Sequence, residues 1–286
     1  MPAQVKEFFD SGTSTFTYVV FDAGGGTAAI LDPVLEYDHK AGRTRSQGCD
    51  NIIQFVREKK LTVAWILETH AHADHLSGAS YLNSVVGGKI GVGSRIGMVQ
   101  ATFKRIFDLD SSFAVDGSQF DALFDDGATV AIGSIVGKTL SVPGHTPACV
   151  AFLFDDLLFV GDTLFMPDVG TARCDFPGGD ARTLYKSIRR LLDLPPATRL
   201  FVCHDYPPAT RGPSCETTVA AQGSDNIHVH DGISEEAFVA MRTARDKTLD
   251  MPLLIIPSIQ VNIRAGRLPP AAANGTVYLK IPLNVL

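Results

Sequence analysis

The amino-acid sequence reads as an α/β protein, and two observations predict that class. Short β-branched and aromatic runs of strand length alternate with longer segments whose apolar residues recur at helical spacing. Four of the strand-like runs also end in a residue type that binds metal: the cluster beginning at His70, then His145, Asp162 and His204. In α/β folds function collects at the carboxyl ends of strands, so these ends predict one shared site on one rim of the sheets. At 286 residues and 45% hydrophobic, the chain can bury a large core, as one big domain or two smaller ones.

The elements follow in order. Thr15 to Phe21 is a strand, Gly24-Gly25-Gly26 a turn, and Ala28 to Leu31 a second strand that ends at Asp32-Pro33. Residues 36 to 48 are polar and contain Gly, which predicts a surface loop with a solvated His39. Asp50 is placed to cap a helix carrying Ile52, Ile53 and Val56. Leu61 to Leu67 is a buried strand that delivers the histidines, Leu76 to Val86 a short helix beyond them, and Lys89 to Val92 another strand. From Ser94, the residues Ile96, Val99, Phe103, Ile106 and Phe107 give a helix one apolar face. The acidic, Gly-punctuated segment Asp108 to Asp126 reads as loop and turn.

Residues 128 to 142 alternate as strands up to Pro143-Gly144-His145-Thr146-Pro147. Ala148 to Phe154 and Leu157 to Val160 form a hairpin that ends at Gly161-Asp162. Asp180 caps a helix with Leu184, Ile188 and Leu191, stopped by Pro195-Pro196. Leu200 to Cys203 is a short strand before His204-Asp205-Tyr206. His228 and His230 alternate along an edge strand without a third partner and read as surface residues. Ser234-Glu235-Glu236 opens a last helix reaching about Leu249, with acids in the first turn where the helix dipole favours them.

The chemistry is densest in Glu68-Thr69-His70-Ala71-His72-Ala73-Asp74-His75, which follows the apolar run Val63 to Leu67. Neutral imidazole and carboxylate are the usual ligands of first-row metals. An extended run points alternate residues to one side, which predicts that His70, His72 and Asp74 converge while His75 serves a second, adjacent ion. A lone His145 or Asp162 is more often a turn residue than a ligand; the constellation carries the argument, not its members.

Composition excludes several classes. A net charge of -6 and a pI near 5.7 argue against a non-specific nucleic-acid binder. Met1 to Asp10 lacks the apolar core of a signal peptide, and no apolar run approaches the ~20 residues of a membrane span. Five cysteines, at 49, 149, 174, 203 and 215, form no C-x-x-C pair, and the odd count fits a reducing compartment. The expectation is a cytoplasmic protein with neither nucleic acid nor membrane as partner.

Taken in order, Thr69-His70-x-His72-x-Asp74-His75, Pro143-Gly144-His145-Thr146, Gly161-Asp162-Thr163 and His204-Asp205-Tyr206 resemble the successive motifs of the metallo-β-lactamase superfamily. The resemblance implies an αββα sandwich with the metal site at one edge. It implies a single domain over 1–286, its metal-site core about 15–206 and an extension 207–286 packing on it. Thr171-Ala172-Arg173-Cys174-Asp175-Phe176-Pro177-Gly178-Gly179-Asp180 is similar to a segment of the persulfide dioxygenase branch, close to the glyoxalase II-like group. Ser234 to Phe238, Met251-Pro252 and Asn262 to Gly266 echo that branch's C-terminal region, and no separate helical glutathione-binding domain is found. Cys174 stands where the branch has Thr and Cys203 where it has Gly, and residues 36–48 and 93–125 look like insertions.

That branch implies one Fe(II) per chain, held by His70, His145 and Asp162, with three positions open for substrate and O2. The implied reaction oxidises glutathione persulfide, or a related small thiol, to sulfite and glutathione, a sulfide-detoxifying step. His72, Asp74, His75 and His204 then orient the ligands or stand at a second metal position, and Asp74 and Tyr206 are the catalytic candidates. Arg173, Tyr206 and Arg264 are the substrate-binding candidates, because glutathione's carboxylates want guanidinium and hydroxyl donors. Asp175 and Asp205 lock loops. A homodimer is compatible with the sequence. In a glyoxalase II-type hydrolase cleaving a glutathione thioester, the same seven metal-motif residues hold two Zn(II), bridged by Asp162, with bound hydroxide as nucleophile. A non-catalytic or nucleic-acid-processing member of the fold is the third reading, and the acidic charge weighs against it.

Overall fold

The computed structural model describes residues 3–22, 24 and 26–285. Ala3–Asp10 (β1), Thr15–Asp22 (β2) and Thr27–Leu31 (β3) open the first sheet; Val34–Asp38 (β4) and Arg43–Arg45 (β5) form a side hairpin before the helix Gln47–Glu58 (α1). Thr62–Leu67 (β6), Leu76–Ser77 (β7), Ala79–Val86 (α2), Lys89–Gly93 (β8), Ile96–Ile106 (α3) and Ala122–Phe124 (β9) complete the first half. The second half runs Thr129–Ile132 (β10), Ile135–Ser141 (β11), Val150–Phe154 (β12), Leu157–Phe159 (β13), Ala181–Leu192 (α4), Arg199–Phe201 (β14) and Glu216–Thr218 (β15). Val219–Asp225 (α5), Glu235–Asp246 (α6) and Ile255–Asn262 (α7) follow.

The strands form one sheet in the order β1-β2-β3-β6-β8-β9, a second in the order β10-β11-β12-β13-β14-β15, and a small third, β5-β4-β7. Why the two large sheets stack is visible in β2, all of whose residues are buried. Val19 and Phe21 face the α1–α3 side, packing with Ile30, Ile52, Ile66 and Phe103. Phe16, Tyr18 and Val20 face the second sheet, packing with Phe152, Phe154, Phe159 and Phe201. A strand apolar on both faces must be covered on both faces. The second sheet's outer face, with Val142, Ala151 and Leu158, meets Leu184, Ile188 and Leu191 of α4 and Phe238 of α6. The result is the αββα sandwich of the metallo-β-lactamase fold. Truncating Phe159 at the inter-sheet core to Ala would cost about 3–5 kcal/mol.

Most expected elements form. The Asp180 carboxylate accepts from Thr183 N at 2.7 Å, capping α4 as its position predicts. Five differences have physical reasons. β1 pairs along its whole length with β2, an edge strand whose half-exposed pattern gives a weak apolar signal. Residues 36–48 are no loop, because Glu36 to Asp38 pair with Arg43 to Arg45 as a polar hairpin. Asp50 does not cap α1; the helix starts at Gln47, and Asp50 accepts from Ser46 and Tyr81 hydroxyls instead. Within Asp108 to Asp126, β9 adds parallel to β8 as a sheet edge. The helix ending at Asp246 is not the last: α7 follows it, and His228 and His230 lie in a turn. Gly25 of the expected glycine turn lies outside the described residues, as do Met1, Pro2 and Leu286 at the ends of the segments read above. No helix among the described residues is long and apolar enough to cross a membrane.

β3 and β6 run parallel, as do β13 and β14, and β11 is antiparallel to β12, itself antiparallel to β13. The chain therefore leaves these strands toward Asp32, His70, His145, Asp162 and His204 on a common rim.

Candidate metal centre

The rim gathers two sets of donors. Donor atoms of His70, His145 and Asp162 all lie within 4.8 Å of one another, and so do those of His72, Asp74, His75 and His204. Asp162 faces both sets: its Oδ2 lies 3.8 Å from His70 Nε2 and 3.6 Å from His145 Nε2, its Oδ1 3.3 Å from His204 Nε2. His204 Nε2 is also 3.3 Å from Asp74 Oδ2. Two donors each about 2.1 Å from one ion stand roughly 3–3.5 Å apart, so the spacing suits an ion among them. His70, His72 and Asp74 do not form one donor set as expected, although the His70 and His72 rings are neighbours, 4.0 Å between centroids. The segment after β6 is an irregular turn, so strand alternation does not apply, and His70 joins the strand-end residues while His72 and Asp74 join His75.

The polar atoms left without partners make the same point. His70 Nε2, His75 Nε2, His204 Nε2, His72 Nδ1 and Asp162 Oδ1 are buried and accept or donate no hydrogen bond. Orphaned buried polar atoms are expensive, and five pointing to one cluster fit a metal as the missing partner.

Each imidazole's other nitrogen is held. Thr69 Oγ1 donates to Asp32 Oδ2 (3.0 Å), so its contact with His70 Nδ1 (3.0 Å) requires Nδ1 to carry the proton and leaves Nε2 the lone pair. Asp32 Oδ1 accepts from Thr69 N (2.7 Å) and from His72 Nε2 (3.0 Å), which frees His72 Nδ1. His145 Nδ1 donates to Arg173 O at 2.7 Å. His204 Nδ1 meets Thr15 Oγ1 at 3.2 Å, and that hydroxyl meets Thr13 Oγ1 at 2.7 Å, which donates to Asp10. Such outer partners fix ring orientation and tautomer. Asp32 and Thr15 were not among the sequence candidates. Asp32 carried the same signal that singled out Asp162, a ligand-type residue at a strand's carboxyl end, but Asp-Pro reads first as a turn. Gly161 permits the packing: at φ 53, a Cβ there would sit 2.5 Å from Thr69 Oγ1.

Burial, then the imidazoles of His72, His145, His204 and His75, hold His70 well below its ordinary value, so it is neutral and ready to ligate. Burial would raise Asp32, but His72 and the Thr69 hydrogen bonds bring its carboxyl below the usual range. Burial works the same way on Asp74, and His204 and His75 overcome it, keeping Asp74 ionised. Burial pushes the Cys203 thiol well up, with Asp32, Asp162 and Asp74 adding to it.

A cleft of about 680 Å³ opens on this cluster, with Asp74, His145 and Asp162 in its wall. Tyr206 lines it, its ring stacked 5.9 Å from that of His204; although 49% exposed, its phenol is pushed up, first by burial and then by Asp74 and Asp162. It is a hydroxyl near neutral pH. Arg173 also lines the cleft, with Nε and Nη2 on Asp175 (2.6 and 2.8 Å) and Nη1 on Asp250 O (2.6 Å). Asp175 thus locks a loop, and so does buried Asp205, which takes Arg211 and Ser214 N. Arg264 is not in the cleft: its guanidinium lies 4.4 Å over the Phe113 ring. The helix α7 that precedes it supplies Asn262, whose Nδ2 donates to His72 O and His75 O, each at 2.8 Å, while its Oδ1 accepts from Ser77 N.

Comparisons with known proteins agree with this architecture. A model of the metallo-beta-lactamase superfamily matches residues 11–204. A "Probable metallo-hydrolase" of Burkholderia pseudomallei is 53% identical over 292 residues, 99% of this chain and 99% of its own. "Glyoxylase B2" of Dictyostelium discoideum is 49% identical over 286 residues, 99% of this chain and 98% of its own. The human "Persulfide dioxygenase ETHE1, mitochondrial" is 29% identical over 274 residues, 95% and 92% of the two chains. The crystal structure of ETHE1 from Myxococcus xanthus superposes with a TM-score of 0.74 at 28% identity, covering 92% of this chain and all of that one.

Proposed function

The chain belongs to the metallo-beta-lactamase superfamily, and from that premise we propose that it is an iron-dependent dioxygenase of small-thiol persulfides, with glutathione persulfide as substrate. The observation that carries this reading is the donor set His70, His145 and Asp162, two imidazoles and one carboxylate whose donor atoms all lie within 4.8 Å of one another. Two His and one carboxylate suit a non-haem Fe(II) oxygenase, since they leave coordination positions open. The likeness to the persulfide dioxygenases along nearly the whole chain supports it.

Iron(II) bound there would supply the centre at which O2 is activated. The rest is the work of this chain's residues. His70 and His145 present Nε2 lone pairs because Thr69 and Arg173 O hold their Nδ1 protons. Asp74, kept ionised, accepts a hydrogen bond from a persulfide S–H or from water, and the Tyr206 hydroxyl donates one to the ligand beside it. Phe165, Val169 and Phe176 give the cleft dry walls. The balanced change is G–S–S–H + O2 + H2O → G–SH + SO3²⁻ + 2 H⁺: the S–S bond breaks, the terminal sulfur is oxidised and O2 is reduced. The free cysteines fit a reducing compartment, and we place the protein in the cytoplasm.

A second reading has its own observation. His72, Asp74, His75 and His204 form a complete second donor set, with Asp162 between the two, as a dinuclear zinc hydrolase requires. The name of the 53% identical relative points the same way. Metal analysis of protein from iron-replete cells separates the two. One iron per chain with oxygen uptake on glutathione persulfide is the expected result. Two zinc per chain, no iron-dependent oxygen uptake and cleavage of a glutathione thioester would overturn the dioxygenase reading.

A further inference from the structure

The charged groups around the cleft largely satisfy one another. Arg173 is forked onto Asp175, buried Arg242 is paired with Asp246, and Arg211 holds Asp168. Asp74 and Asp162 face histidines. Two lining charges remain. The Arg245 guanidinium and the Asp250 carboxylate are exposed and make no side-chain hydrogen bond or close ion pair among the described residues, not even with each other, although Asp250 lies near enough to Arg173 to help hold that guanidinium charged.

Their backbones are fixed. Arg245 lies in the last turn of α6, its carbonyl taken by Thr248 N and Oγ1, between buried Arg242 and Asp246. The Asp250 carbonyl is held by Arg173 Nη1 at 2.6 Å. Opposite charges free to move would close into an ion pair; anchored apart on one cleft, they suit a ligand that carries both signs. We propose that Arg245 and Asp250 form a subsite for a free α-amino-acid head, Arg245 taking the α-carboxylate and Asp250 the α-ammonium. This rests on the thiol-persulfide reading above. The γ-glutamyl end of a glutathione-type thiol carries such a head, and Leu249, Pro252 and Leu253 give its methylenes an apolar strip beside the two charges. A zwitterion gains charge-assisted bonds at both ends, where a neutral thiol gains neither. Arg173, with Nε, Nη1 and Nη2 all engaged, becomes a positioning residue for the turn that presents Asp250.

The test is calorimetric binding of S-methylglutathione to the protein as purified, a probe with no thiol to oxidise. Arg245→Ala should weaken binding about 10- to 100-fold and Arg245→Lys recover part of it. Asp250→Asn should weaken it about 10-fold, with metal content unchanged in all three. The N-acetylated probe, which lacks the ammonium, should bind wild type about as weakly as Asp250→Asn binds the parent. N-acetylation should cost Asp250→Asn nothing more. An equal acetylation penalty in wild type and Asp250→Asn, or wild-type affinity in Arg245→Ala, overturns the subsite and leaves the glutathione reading standing. Wild-type protein that binds neither probe overturns both.

Discussion

Removing one oxygen, that of Thr69, tests how the metal centre is held together. Thr69→Val keeps the shape and deletes the hydroxyl that accepts from His70 Nδ1 and donates to Asp32 Oδ2, both at 3.0 Å. All three residues are buried, so water cannot replace it. His70 Nδ1–H would lose its acceptor, and an unsatisfied buried donor costs about 1–3 kcal/mol. The ring would also be free to turn Nε2 away from the ion. Losing an outer partner of a ligand typically weakens metal affinity 10- to 100-fold, about 1.4–2.7 kcal/mol, in line with that range. Asp32 would still hold Thr69 N and His72 through Oδ1, so the loop should stay folded. Competition with a chromogenic chelator, run on wild type, Thr69→Val and Thr69→Ser, measures the change. Serine should stay close to wild type and valine fall by the stated factor. Valine binding metal as tightly as serine would refute the claim that the Asp32–Thr69–His70 chain orients the ligand.

Further predictions follow from other residues. His70→Ala, His145→Ala and Asp162→Ala should each abolish iron binding, whereas His204→Ala should keep it if one ion occupies the first donor set alone; elemental analysis decides, and equal loss in His204→Ala argues for two ions. Arg242→Met would strand buried Asp246, whose Oδ2 also takes Cys174 N at 3.0 Å, and should cost about 3–5 kcal/mol, roughly 5–8 °C in Tm by calorimetry. A shift under about 2 °C would mean the pair holds little. Burial, then Arg242 and Arg245, lower His228 to about 4, below its ordinary 6.5. Its contribution is therefore complete above about pH 6.5 and lost as pH falls toward 4, on the order of 1 kcal/mol after discounting for its partial exposure. Urea midpoints at pH 7.5 and 4.5 should differ more for wild type than for His228→Gln, and identical differences would clear His228 of this role.

The sequence made the sandwich legible because its central strands lack alternation. A run like Thr15 to Phe21 has no polar face, which requires cover on both sides, and the helices at Leu184, Ile188 and Leu191 supply it. The seven metal-motif residues were legible for a similar reason, as each follows an apolar run. What stayed hidden depends on neighbours rather than on pattern. Asp32 looks like half of a turn until Thr69 and His72 come within reach. That the His70 donor atom groups with those of His145 and Asp162, although its ring also neighbours that of His72, depends on a turn geometry that alternation cannot describe. Arg173 reads as a free anion-binding Arg until Asp175 is seen two residues on, folded back against it. The apolar stretch of α7, Leu254 to Ile263, signals burial plainly, but only the fold tells that Asn262 ends against the histidine turn.

That last contact orders events during synthesis. The two carbonyls that shape the histidine turn, of His72 and His75, receive their donors from a residue 190 and 187 positions further on. At roughly 5–20 residues per second, a ribosome needs about 10–40 s to cover that distance. Throughout that interval the nascent chain holds its donor residues without the brace that sets their spacing. Both large sheets can be complete by the time residue 218 emerges, yet the pocket gains its lock only after 262 does. A chain that stops short of Asn262 would carry the histidine motif without the donors that hold the His72 and His75 carbonyls.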